Sequence, residues 1–404
     1  MAWQATEKST LANIATIMCI RMFSLFSIFP ILTLNAQSFA DYSEAKTGLA
    51  LGIFGMMQVL FLIPFGILAD RFNKLHVLTF AFVIFIIGCL VAAFATDLTS
   101  IVIGRAIQGA GALSGLLISL LSDNISKPNK PIAMMVIGMA VGVAFVFAMA
   151  IAPIVTDAWG LSAIFWVNAL LGLLVIGLIY KQLAPLALLQ NKQKLALKAY
   201  WGILIKQLRQ PNVMLINISV FLCHFLLMAM FNFIPVVMNQ TYHFSHWQMS
   251  LALVATTIIG TLLIAPKLKK RDHSLATFGA ILPLCFCGLS LILLSQFGFI
   301  QFAPFAMLLG LTLFMGYFSY SEAIGPTIIS QYLPAEISAS TMSSMVTFQY
   351  LGIFMGGLVG GLSLQLGTLS NLLVLLLAIV LLWFVAFQFL VRKWHSKQSA
   401  LKNS

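Results

Sequence analysis

Charge is what this sequence lacks. Asp, Glu, Lys and Arg make up only 8% of its 404 residues, and 10 residues in all are acidic. A soluble globular chain carries roughly one-quarter charged residues, so this composition excludes a soluble enzyme and a disordered protein. Cysteine is scarce as well. Cys19, Cys89, Cys223, Cys285 and Cys287 all fall inside apolar segments, where a thiol acts as a small apolar side chain. No disulfide framework follows. Cys285 and Cys287 are two apart and would point to different helix faces, a poor metal pair. Also missing are a Ser-His-Asp arrangement, a metal-ligand cluster and a phosphate-binding glycine loop. The expectation is a non-enzyme with no cofactor and no metal.

What is present is apolar surface. Hydrophobic residues reach 61% and the mean hydropathy is +1.03. A helix needs about 20 apolar residues to cross a bilayer. Hydropathy places twelve such segments, at about residues 11–34, 46–69, 76–95, 99–122, 132–155, 162–181, 211–238, 248–266, 275–296, 302–332, 338–362 and 369–391. They are about twice the length of a barrel strand and do not alternate, which excludes a β-barrel. The expected fold class is an all-α membrane protein of twelve transmembrane helices in two pseudo-symmetric six-helix bundles. Ser38-Phe39-Ala40 loosely resembles a signal-peptide cleavage site, but Arg21 interrupts the preceding segment and Glu7 stands beside Lys8. The first segment is therefore read as a span that is retained.

The net charge is +12, yet its distribution does not describe a nucleic-acid partner. The cations sit in alternate short loops: Arg71 and Lys74; Lys127 and Lys130; Lys181, Lys192, Lys194, Lys198, Lys206 and Arg209; Lys267, Lys269, Lys270 and Arg271; and the tail from Arg392. The opposite loops have Lys46 with Asp41, Glu44, Asp97 and Asp157. The positive-inside rule then puts both termini and the central loop in the cytoplasm, which requires an even number of spans. The expected partners are a lipid bilayer, a small-molecule substrate and protons, in a bacterial inner membrane.

The longest connection, about residues 182–210, has no acidic residue. It reads either as a topology-fixing linker or as an amphipathic helix on the anionic leaflet. It divides the chain into an N-terminal bundle (about 1–181), a C-terminal bundle (about 211–391) and a tail (about 392–404). A faint echo links the halves: Phe26-Ser27-Ile28-Phe29-Pro30-Ile31 in the first segment and Phe231-Asn232-Phe233-Ile234-Pro235-Val236 in the seventh.

Two local motifs stand out. After the second segment runs Gly66-Ile67-Leu68-Ala69-Asp70-Arg71-Phe72-Asn73-Lys74. Here Gly66 would permit close helix approach, and Phe72-Asn73 would turn tightly with Asn73 able to adopt the left-handed conformation. The fourth segment reads Gly104-Arg105-Ala106-Ile107-Gln108-Gly109-Ala110-Gly111-Ala112. The first run is similar to the signature loop of the major facilitator superfamily, departing at Asn73 and Leu75. The second resembles the Arg-x-x-Gln-Gly motif of its proton-dependent drug antiporter branch. The surroundings of Arg21, Pro30 and Glu322 are most similar to the YajR-like group of bacterial inner-membrane transporters, here without a counterpart of that group's added soluble C-terminal domain. The resemblance implies the major facilitator fold and a monomer. It also implies a conformational switch formed by Gly66, Asp70, Arg71 and Lys74, with Asp70 docking at the start of the eleventh span near Ser338 to Thr341.

Three charges lie deep: Arg21, Arg105 and Glu322. A charge at membrane depth costs several kcal/mol and calls for a reason. One reason is function, with Glu322 carrying a proton while the arginines set its affinity or receive anionic groups. The other is a static ion pair. Asn217, His224 and Asn232 share a helical face, as do Ser340, Ser344 and Thr347. With Gln108 they are candidate cavity residues. The expected function is alternating-access, proton-coupled efflux of a small organic compound. A proton-coupled importer of a metabolite or siderophore-like ligand shares the fold, and Ala152-Pro153 supports it, because the family's antiporter marker has glycine before the proline. A polytopic membrane enzyme is the remote alternative. His243 and His246 are its only metal-like pair, without a third ligand.

Overall fold

A computed structural model describes residues 3–111, 113–186, 205, 209–268, 274–296, 302–331 and 338–402, apart from the side chains of Asp70, Leu113, Lys127, Pro131 and residues 329–343 and 393–402. Among the described residues, twelve helices are long and apolar enough to cross a membrane. Spans 1 to 6 are Ala5–Ala36, Glu44–Ala69, Lys74–Ala93, Leu98–Asn124, Ile132–Trp159 and Leu161–Leu183. Spans 7 to 12 are Pro211–Thr241, His246–Leu268, Leu275–Gln296, Ala303–Ile328, Ser344–Leu366 and Leu369–Arg392. No strand is found among the described residues. The linker readings fall on 187–204 and 206–208, outside the described residues.

The echo between the first and seventh segments is a shared interruption. Span 1 breaks after Phe26 and resumes at Phe29 with Pro30 in its first turn. Span 7 breaks after Phe231 and resumes at Ile234 with Pro235 in the same place. Proline has no N–H and a fixed φ, so it suits a helix start and breaks a helix interior. The two breaks meet, with the Phe29 and Phe231 rings 5.6 Å apart.

Small residues set the helix crossings, as expected where lipid supplies no hydrophobic drive between helices. A Cβ on Gly104 would lie 2.9 Å from the Gly88 carbonyl, and one on Gly310 2.5 Å from the Gly288 carbonyl. These are matching crossings of spans 3–4 and 9–10. Span 11 is small on two sides. Gly357 and Gly361 pack on Gly48 of span 2, while Gly352 and Gly356 press on the Phe221 and Phe225 carbonyls of span 7.

The span 2–span 11 crossing seals the end of the molecule opposite the basic loops. Gln365 Oε1 accepts from the Ala45 amide at 3.1 Å, and Gln240 donates to Gln37 at 2.9 Å. His246 Nδ1 lies 3.0 Å from Asp157 Oδ1, tying span 8 to span 5. His243 holds a positive φ of 55° in the turn before His246.

Candidate transport site

Toward the basic-loop end the two halves part around a cavity of about 770 Å³, mouth included. Spans 1, 4, 5, 7, 10 and 11 all contribute to its wall. Much of that wall is soft: Met18, Met22, Met134 and Met345 stand with Leu25 and Phe26. Unbranched thioethers repack easily around different apolar shapes. The polar groups are few: Ser114, His224, Glu322, Gln349 and Tyr350. An apolar pocket with a handful of convergent polar groups is the usual form of a small-molecule site.

Glu322 does not meet an arginine; it meets His224. The His224 Nε2 to Glu322 Oε1 distance is 3.5 Å. Gln349 of span 11 donates its amide to both carboxylate oxygens, at 3.0 and 3.3 Å. On the other ring nitrogen, His224 Nδ1 lies 2.9 Å from the Val220 carbonyl. A carbonyl only accepts, so Nδ1 carries a hydrogen. Nε2 then faces Glu322 with a bare lone pair unless a proton joins them. An ionised carboxylate also only accepts. The pair therefore attracts when it holds one proton, on the imidazole or on the carboxyl, and repels when it holds none.

The arginines sit behind the wall on the other half. Arg21 borders the cavity stripe of span 1 without lining it, next to Met22 and about one turn from Met18 and Leu25, which do line it. Tyr350 covers it. Arg21 Nη1 donates to Tyr350 Oη at 2.8 Å, and that hydroxyl lies 2.9 Å from Ser114 Oγ. Arg105 is deeper, donating to Gln108 Oε1 at 2.9 Å and to the Ala50 carbonyl. Both guanidiniums lie on the Phe54 ring, Arg21 at 5.8 Å and Arg105 at 4.8 Å from its centroid, a cation–π arrangement. Neither enters an ion pair among the described residues. Arg21 Nε and Nη2 and Arg105 Nη2 have no hydrogen-bond partner among the described residues.

The family model of the Major Facilitator Superfamily matches residues 14–300. The chain belongs to the Major Facilitator Superfamily. It is accordingly an integral membrane protein and a secondary transporter. Among its relatives it is 30% identical over 336 residues to the inner membrane transport protein YajR of Escherichia coli K12, covering 82% of this chain and 72% of that one. It is 25% identical over 347 residues to the 3-(3-hydroxy-phenyl)propionate transporter of the same organism, covering 82% and 81%. Among solved structures, the nucleoside transporter NupG superposes with a TM-score of 0.71 at 15% identity, over 95% of this chain and 99% of that one. That likeness concerns the fold alone.

In this superfamily member the loop after span 2 differs from its sequence reading at Asn73. Among the described residues, a Cβ on Gly66 would meet nothing within 4 Å. Asn73 is not left-handed. Its φ of −61° and ψ of 122° make it an N-cap, with Oδ1 accepting from the Leu75 amide at 2.9 Å, because an exposed carboxamide satisfies a free helix N–H better than a turn does. Lys74 is buried and pairs with Asp123 of span 4, with Ser119 Oγ at 2.8 Å. Arg71 is exposed. The Asp70 side chain and those of Ser338 to Thr341 lie outside the described residues.

Of the polar cavity candidates, His224 alone lines the wall. Gln108 is buried between Arg105 and Cys89, donating to the thiol sulfur at 3.1 Å. Asn217 is buried against span 11, donating to Ser344 Oγ at 3.3 Å. Asn232 turns back to the Met228 carbonyl beside the break in span 7. Ser344 and Thr347 lie off the wall. Asn217 and Ser344 meet where the polar faces of spans 7 and 11 pack on each other, while Gln108 is a candidate through the motif resemblance and not through a shared face. Gln349, Tyr350 and Ser114 escaped the sequence reading. Their only signal was polarity within apolar segments, which packing hydroxyls share.

Proposed function

We propose that this chain is a proton-coupled transporter of a small organic compound, working by alternating access, with its proton held between Glu322 and His224. The observation that carries the reading is the pair of contacts at His224, Nδ1 against the Val220 carbonyl and Nε2 against the Glu322 carboxylate, an arrangement that one shared proton satisfies. The pair bridges spans 7 and 10, and Gln349 attaches span 11 to it. Loading or losing that proton changes the forces among three helices of one half at the cavity wall.

The halves, about residues 1–181 and 211–391 around a basic linker, rock about this midplane. Cation-rich loops place the basic end in the cytoplasm, so the sealed end faces the periplasm and the cavity faces the cytoplasm. Asp70, Arg71 and Lys74 then lie at the cytoplasmic rim, where the superfamily's signature acid favours the outward-facing state. The compound moves outward in exchange for a proton, as the Arg105–Gln108 motif suggests. Uptake by symport is the second reading, favoured by Ala152 before Pro153 and by the relative named for 3-(3-hydroxy-phenyl)propionate. The protein acts as a monomer in the inner membrane.

Inverted membrane vesicles holding a respiratory acid gradient test this. A pH-sensitive dye reports protons released when a panel of organic cations, acids and neutral antibiotics is added. The expected result is release by at least one compound with wild type and none with Glu322→Gln. Equal release by both proteins would remove the proton from Glu322. If no compound causes release and right-side-out vesicles take one up with acid, the direction is reversed and the proton site stands.

A further inference from the structure

We infer that Arg21 is the substrate's anchor and that the substrate is an organic anion with an apolar body. The inference deepens the transport reading and rests on it. Arg21 is 2% exposed and Arg105 is fully buried. Each is a permanent charge. A buried charge is normally paired, because one left alone is strongly unfavourable. Among the described residues, no carboxylate pairs with either, and three guanidinium nitrogens have no hydrogen-bond partner. The Phe54 ring they share eases this cost without matching the hydrogen-bonding geometry of an acid.

Its bond to a wall residue selects Arg21. It stands behind the wall, next in sequence to Met22 and about one turn from Met18 and Leu25, which line the cavity. Its Nη1 donates to the hydroxyl of Tyr350, itself part of the wall. Tyr350 is on span 11 and Arg21 on span 1, so the contact joins the two halves and rocking must strain it. A neutral hydroxyl is a weak acceptor for a guanidinium, whereas a carboxylate takes two parallel bonds. An anion entering the cavity replaces the hydroxyl on Arg21 and lays its apolar body on the methionines. Arg105, behind Phe54, adds attraction without contact. The proton pair lies across the cavity on the other half, so the anion and the proton occupy separate sites. Outward movement of an anion against an entering proton carries two charges in the direction a negative-inside potential drives.

The test compares three probes of one shape on the purified full-length protein: naphthoate, naphthamide and naphthylmethylamine, by titration calorimetry in detergent. Wild type is expected to bind naphthoate at least tenfold more tightly than either other probe. Arg21→Gln should abolish that preference and Arg21→Lys should keep part of it. Equal binding of all three probes to wild type would overturn the inference, and this reading needs no variant that might misfold. Preference for the amine, lost in Glu322→Gln, would overturn it in favour of a cationic substrate. Neither result would touch the proton site, which the vesicle assay reads separately.

Discussion

Lys74 and Asp123 differ from the deep charges in being matched. Their side chains are 7% and 15% exposed, and Ser119 supplies a further acceptor. Removing one partner from a buried pair leaves the other charge stranded, at a cost of about 3–5 kcal/mol. Asp123→Asn is therefore expected to lower stability by about that much in a detergent unfolding titration. Asp123→Leu combined with Lys74→Met should recover most of the loss. If the single variant is as stable as wild type, the pair holds nothing. At this scale the sequence was half legible. A deep Glu322 or Arg21 is visible because apolar runs make any charge conspicuous. Its partner is not, because His224 and Gln349 reach Glu322 from other helices and no local pattern records that meeting. Asn73 shows the reverse error, where a residue's general talent was taken for its local use.

At the scale of helices, the contact to disturb is the crossing of spans 2 and 11. A Cβ on Gly357 would sit 2.5 Å from the Gly48 carbonyl, and one on Gly48 2.2 Å from the Gly357 carbonyl. Backbone cannot yield as a flexible side chain can, so Gly357→Ala must push the helices apart at the sealed end. Spin labels at Gln37 and Gln240, in a cysteine-depleted background, should report a longer mean distance in Gly357→Ala. Gly142→Ala is the control, since its Cβ would meet nothing within 4 Å. An unchanged distance in both would mean that the crossing does not hold that end shut. The twelve spans themselves were legible, because about 20 apolar residues in a row have few destinations other than a bilayer. The matching breaks at Phe26 and Phe231 were visible through their prolines. The two small sides of span 11 were not read, since a run of glycines does not say which neighbour each one admits.

The whole molecule is held closed at one end by glycine contact and by Asp157–His246, and opens at the other around the methionine wall. The account assigns the two halves different work: the N-terminal half offers unpaired cations and the C-terminal half holds a proton. None of this division follows from hydropathy, which treats the halves alike; it depends on where three charges fall after folding. The most direct test is infrared difference spectroscopy of the protein in liposomes, between acid and alkaline buffer. The account predicts that one carboxyl band and the imidazole bands change together, and that Glu322→Gln and His224→Gln each abolish the joint change. A carboxyl signal that survives in Glu322→Gln, or imidazole bands that stay still while it appears, would contradict the shared proton on which the coupling depends.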